Sequence, residues 1–216
     1  MKKTAWVSGA TGLIGSHLMT LLSEHSNYAK VIALVRSPSD AAWSNHPKVE
    51  QWKVDYRYLS TQLGRSVDDV FCALGSTIKK TPDKAAYYEI DVTFPLNVAK
   101  LGLEKGAQFY GLVSAHGANA KAFSYYMKMK GELEQELEHL NYKHQAFARP
   151  SLLLGDRKEF RPAEKLGELF MGILPGNYKA IQAKDVAAAL ILEANSNNSG
   201  IQILQSSSMQ GASTRL

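Results

Sequence analysis

Short apolar and β-branched runs alternate along this chain with stretches whose apolar residues recur three and four positions apart. The runs fall at residues 5–8, 30–35, 49–54, 69–74, 108–114, 144–148 and 201–204, and each is short enough to be a strand. The stretches with helical period lie between them, at residues 13–23, 85–103, 125–140 and 184–194. Strand and helix in strict alternation predict an α/β fold: a doubly wound parallel sheet with helices on both faces. Residues 155–180 stand apart, with Pro162, Pro175 and several glycines around a short amphipathic piece at 163–171, and read as a lid or substrate segment. No repeat, low-complexity linker or second core interrupts the pattern, so residues 1–216 are expected to form a single domain, with Ser206-Ser207-Ser208 onward as a frayed tail.

Composition narrows the function. The 216 residues are 45% hydrophobic and 21% charged, enough for one sizeable core. No apolar run approaches the roughly 20 residues of a membrane span, and no hydrophobic signal core precedes the first glycine, so no membrane role and a cytoplasmic location are expected. Cys72 is the only cysteine; it permits neither an intrachain disulfide nor a cysteine metal cluster and reads as a buried thiol. A net charge of +5 raises the question of an acidic partner, but Lys79, Lys80 and Lys84 lack interleaved aromatics, and Glu132, Glu134, Glu136 and Glu138 form an acidic stretch. No nucleic-acid partner is expected. The six histidines show no spacing that suggests a metal site, and none is expected.

The first chemistry-bearing motif follows the first predicted strand directly: Ser8-Gly9-Ala10-Thr11-Gly12-Leu13-Ile14-Gly15, running into an apolar helix. Gly9 allows a tight turn out of the strand, Gly12 lets backbone approach a pyrophosphate, and Gly15 permits close packing of helix on strand. Thr11, Leu13 and Ile14 complete the loop and belong to the same cofactor site. The helix start then offers free N–H groups and partial positive charge to phosphates. About 20 residues on, where an acid would mark NAD, the chain reads Val35-Arg36-Ser37-Pro38. A guanidinium there pairs with a 2′-phosphate, so NADP(H) is favoured over NAD(H).

Reduction of a carbonyl needs a proton donor beside the developing oxyanion. Tyr126 and Lys130 stand four apart on a predicted helix, where an ammonium can steady the developing phenolate; Tyr125 has Met129 at the same offset. Ser114 closes a predicted strand at the carboxyl edge, where ligands sit in open α/β sheets, and supplies a hydroxyl for the substrate oxygen. Ser124, just before Tyr125, reads as a helix cap. His116 either lines the pocket or is a solvated loop residue, and Arg157 and Arg161 either meet an anion or pair with Glu159 or Glu164.

The Gly-x-x-Gly-x-x-Gly spacing, and a strand-end serine followed by helical Tyr-x-x-x-Lys, resemble the short-chain dehydrogenase/reductase superfamily. Segments 113–119, 126–134 and 148–157 are more specifically similar to the atypical reductases of the HIV Tat-interacting-protein kind, with likeness over most of residues 4–195. The resemblance implies a Rossmann domain with a small C-terminal substrate region and a catalytic set of Ser114, Tyr126 and Lys130. It also implies Asp55 at the adenine edge, Gly75 passing beside the cofactor, and backbone near Pro150 and Leu152 at the carboxamide. Asp55 as a simple turn cap stays open. The expected function is NADP(H)-dependent reduction of a small carbonyl, or oxidation of the alcohol. The alternatives are an NADPH-binding regulatory protein or a sugar epimerase or dehydratase on the same scaffold. The resemblance leaves a homodimer open.

Overall fold

The computed structural model describes residues 2–59, 66–155 and 178–216. Nine strands are present among them: β1 (Lys3–Ser8), β2 (Tyr28–Val35), β3 (Val49–Lys53), β4 (Asp69–Cys72), β5 (Phe109–Val113), β6 (His144–Arg149), β7 (Leu153–Leu154), β8 (Ile181–Gln182) and β9 (Gly200–Gln205). Seven make one sheet in the order β3-β2-β1-β4-β5-β6-β9, every neighbouring pair parallel. These are the seven predicted runs. The remaining two, β7 and β8, form a small parallel pair in which Leu153 faces Ile181.

Helices on both faces explain why the strands are apolar almost throughout. In β1, Ala5 and Val7 join the core under α1 (Leu13–Glu24) and α5 (Ala183–Ala194), while Trp6 joins the opposite core under α3 (Phe94–Glu104) and α4 (Tyr125–Glu138). Strand β2 splits the same way, Val31, Ala33 and Val35 to one side and Ile32 and Leu34 to the other. A period of two with both faces covered reads as a continuous apolar run.

The stretch expected as one helix at 85–103 is interrupted. A short helix α2 (Lys84–Tyr88), capped by the Asp83 carboxylate on the Ala86 N–H at 2.7 Å, passes through one wider turn, Glu89–Thr93, into α3. Its widening is seen where the Phe94 N–H bonds back to the Glu89 carbonyl, five residues earlier. Pro95 accounts for it: the ring has no N–H for the Asp91 carbonyl and would crowd that carbonyl in a regular helix.

The tail from Ser206 is docked, not frayed as expected. Ser206, Met209 and Ala212 are fully buried, and Asp185 on α5 accepts the Gly211 and Ser213 N–H groups at 3.1 and 3.0 Å. Burial of Met209 and Ala212 supplies the apolar contact that a serine-rich run conceals. Of the expected lid at 155–180, residues 156–177 lie outside the described residues, and Arg157 and Arg161 with them.

Candidate functional site

The chain leaves β1 for one side of the sheet and returns to its other side at β4, so the loops after these two strands face each other at the carboxyl edge. Such a switch in strand order opens a crevice. Gly9, at φ +77°, turns there against the Ala73 backbone so closely that a Cβ would lie 2.5 Å from the Ala73 carbonyl carbon. Gly15 completes the packing: its Cβ would fall 2.0 Å from the Gly9 carbonyl oxygen. Gly12 donates its N–H to that same oxygen at 2.9 Å and takes the N-cap position of α1, with no side-chain cap and no acid in the first turn. The opening N–H groups of α1 therefore point from a cradle free of side chains, which fits a pyrophosphate. Thr11 is exposed, Ile14 and Leu13 turn inward, and Leu13 packs against Gly155.

Arg36 stands exposed just beyond β2 and makes no hydrogen bond or ion pair with the described residues. Asp55 is exposed, and its Oδ1 accepts the Arg57 N–H at 2.9 Å, a turn-capping bond. The Pro150 carbonyl takes the His116 N–H and the Leu152 carbonyl the Ile181 N–H, both at 2.9 Å. His116 stacks edge-on against Tyr178 at 4.7 Å between ring centres.

One face of α4 carries Tyr126, Lys130 and Glu134 at successive helical turns, the last two buried. Tyr126 at the helix start is 38% exposed, and its ring centre lies 6.0 Å from the Lys130 ammonium. Lys130 is buried, and its Nζ sits 3.0 Å from Oδ1 of the equally buried Asp91. Burial alone would lower the lysine pKa, but the Asp91 carboxylate and, less strongly, Tyr126 hold it above the ordinary value. Gly75 comes to the same point, within 3.9 Å of Nζ measured from where a Cβ would be.

Ser114 is brought to the next turn of the helix. Its hydroxyl donates to Glu134 Oε1 at 2.5 Å, and Arg149 donates to both oxygens of the same carboxylate. Glu134 and Ser114 are 3% and 4% exposed. Ser114 thus presents oxygen lone pairs, and its hydrogen can turn elsewhere without stranding Glu134, which keeps both arginine donors. Ser124 occupies the N-cap position of α4, but its side chain makes no capping bond.

Three residues of this arrangement, Asp91, Glu134 and Arg149, are not among the site residues expected from the sequence. Asp91 carried a signal: it stands at helical spacing from Tyr87, Phe94 and Val98, all buried, so it is an acid on an apolar stripe. Glu134 stands four after Lys130 and shared its face all along, hidden within an acidic run. Among the described residues no cluster of three His, Cys, Asp or Glu is placed to hold a metal ion.

A parallel sheet with a glycine cradle at its switch point and a helical Tyr-x-x-x-Lys defines an atypical short-chain dehydrogenase/reductase with a Rossmann fold. The chain belongs to the family described as NAD(P)H-binding, whose model matches residues 9–196. It is 30% identical to Protein fmp52, mitochondrial, of Emericella nidulans over 172 residues, 77% of this chain and 73% of that one. It is 29% identical to Protein HTATIP2 of Rattus norvegicus over 198 residues, 91% of this chain and 81% of that protein. In fold it matches MoeE5 in complex with UDP-glucose and NAD, with a TM-score of 0.69 at 18% identity, covering 93% of this chain and 75% of that one. The expected cytoplasmic location is corrected by these relatives: the fmp52 proteins of Emericella nidulans, Candida glabrata and Candida albicans are named as mitochondrial.

Proposed function

We propose that this protein is an NADP(H)-dependent oxidoreductase that reduces a small carbonyl, or oxidises the corresponding alcohol, with Tyr126 as proton donor. The observation that carries the reading is the buried, charged Lys130 beneath the half-exposed Tyr126, on the carboxyl edge that holds the glycine cradle. Gly9, Gly12 and Gly15 admit the pyrophosphate to the α1 N-terminus, and Arg36, exposed just beyond β2, takes the 2′-phosphate that distinguishes NADP from NAD. A nicotinamide bound there would supply hydride for the carbonyl carbon. Tyr126 gives its phenolic proton to the carbonyl oxygen and, being partly exposed, regains one from water. Lys130 holds positive charge beside the phenolate left behind. Ser114 turns its hydrogen from Glu134 to the substrate oxygen, leaving Arg149 to satisfy the carboxylate. Leu152 offers its backbone N–H for the carboxamide.

A second reading, NADPH binding without turnover, is favoured by one feature: in this structure the Ser114 hydrogen is held by a buried carboxylate. Fluorescence titration with NADPH and NADH, on the wild type and on Arg36→Ala, tests the cofactor assignment. NADPH is expected to bind at least ~10-fold more tightly, about 1.4 kcal/mol, and Arg36→Ala to lose the difference. A carbonyl panel then separates the two readings. Tyr126→Phe should keep NADPH affinity and abolish turnover; a wild type that binds NADPH and reduces nothing favours the binding protein. An epimerase or dehydratase on the same scaffold would instead purify with the nucleotide near stoichiometry.

A further inference from the structure

Asp91 is needed neither by the proton transfer nor by the cofactor cradle, yet it is 1% exposed and lies where three elements meet. Its Oδ2 accepts the Ser76 N–H at 2.7 Å, from the loop after β4, and its Oδ1 faces the Lys130 ammonium of α4 at 3.0 Å. Its own backbone belongs to the widened turn between α2 and α3 that Pro95 enforces. The loop passes so close that a Cβ on Gly75 would lie 3.3 Å from Asp91 Oδ1. A carboxylate buried at this depth is costly to hold unless it is compensated, and here Oδ2 takes a backbone donor while Oδ1, without a hydrogen bond of its own, lies against a cation.

We infer that Asp91 is a positioning residue of the site: its carboxylate holds the Lys130 ammonium charged and in place and ties the Gly75-Ser76 loop to the same point, so that the nucleotide crevice and the proton-transfer residues are set together. This inference rests on the oxidoreductase reading for its functional meaning, not for its geometry. Lys130 is itself only 2% exposed, so little water is at hand to sustain its charge once Asp91 is neutral. The other titratable groups that act on it are Tyr126 from its own helix and Cys72 from β4. Neither is an ammonium's full counter-charge at neutral pH. The wider turn also has a function in this scheme: the change of helical phase at Glu89–Thr93 falls where the acid must enter the space between loop and α4.

The test follows the lysine and the cofactor separately. In protein carrying ¹³C-labelled lysine, the Lys130 side-chain signal is assigned by its loss in Lys130→Met and titrated with pH in wild type and Asp91→Asn. Asparagine can still accept the Ser76 N–H but brings no charge. The Lys130 midpoint is expected to fall by at least about one pH unit in Asp91→Asn, and an unchanged midpoint overturns the inference. NADPH titration of the same proteins at pH 8 is expected to weaken about 10-fold or more in Asp91→Asn, and equal affinity overturns the coupling to the crevice. Should Asp91→Asn not fold, the double variant Asp91→Asn with Lys130→Met removes both charges and should fold. Its NADPH affinity is then expected to match that of Lys130→Met alone, and a further loss overturns the inference. If the wild type binds no NADPH, the oxidoreductase reading fails while the lysine titration still decides what Asp91 does.

Discussion

At the scale of single residues, the site is built on two carboxylates with opposite duties. Asp91 compensates a buried cation; Glu134 gathers Ser114 and Arg149 at one point. Removing one member of a buried, fully paired set strands its partners, which costs about 3–5 kcal/mol. In Glu134→Ala the Arg149 side chain, 24% exposed, can still turn to water, so the expected loss of unfolding stability is smaller, about 1–3 kcal/mol, read by urea denaturation. Glu134→Gln, which keeps the shape and one acceptor, should lose less; equal losses in the two variants would show that the charge, not the packing volume or the remaining acceptor, is what Glu134 supplies. Of these residues the sequence displayed Tyr126, Lys130 and Ser114 clearly, because spacing along a helix and position at a strand end are local properties. It showed Asp91 only as an acid on an apolar stripe and gave no sign of what it or Arg149 pairs with, since a pairing across 39 residues, as between Asp91 and Lys130, leaves no periodic trace.

At the scale of elements, all seven strands of the main sheet and the main helices follow from apolar period alone, and their ends shift by only a few residues. Two elements depart from the pattern for identifiable reasons. The helix at 85–103 holds a wider turn because Pro95 removes a donor, a cue the sequence carried in plain view. The C-terminal tail is ordered by Asp185, whose carboxylate caps backbone at Gly211 and Ser213. Although burial works against it, those hydrogen bonds hold the Asp185 pKa below its ordinary value. Asp185→Ala is expected to cost about 2 kcal/mol, within the range for hydrogen bonds to a charged group, and to raise hydrogen exchange at residues 206–215 before the sheet opens. Exchange unchanged in the tail would mean that Met209 and Ala212 anchor it without help.

At the scale of the whole molecule, stability should depend on pH with a definite sign. Burial lowers the pKa of His17, His25 and His144 below 6.5, with help from nearby lysines at the first two; at His144, burial outweighs the opposing pull of Glu193. Each is then less protonated in the folded chain than in the unfolded one below that value. Their contribution is fully present above the unfolded pKa and is lost as pH falls through the folded values. Asp69 works the other way: burial raises its pKa, so its contribution is present at low pH and lost as pH rises through the folded value. Between about pH 8 and pH 5 the melting temperature is expected to fall on acidification, and His144→Gln to flatten the fall; a melting temperature that rises on acidification contradicts the assignment.

The sequence by itself determined the sheet, its helical cover, the glycine cradle and the tyrosine-lysine pair. Each of these is written in a period or a spacing of a few residues, and burial on both faces makes the apolar signal of a parallel strand hard to mistake. Only the tertiary structure decided what compensates Lys130, where the Ser114 hydrogen points, and that the tail is docked. Those outcomes depend on which groups the fold brings together after the chain has crossed the sheet. An acid reads the same in sequence whether it meets water, a backbone N–H or a buried ammonium, and only the enclosed geometry gives it a partner.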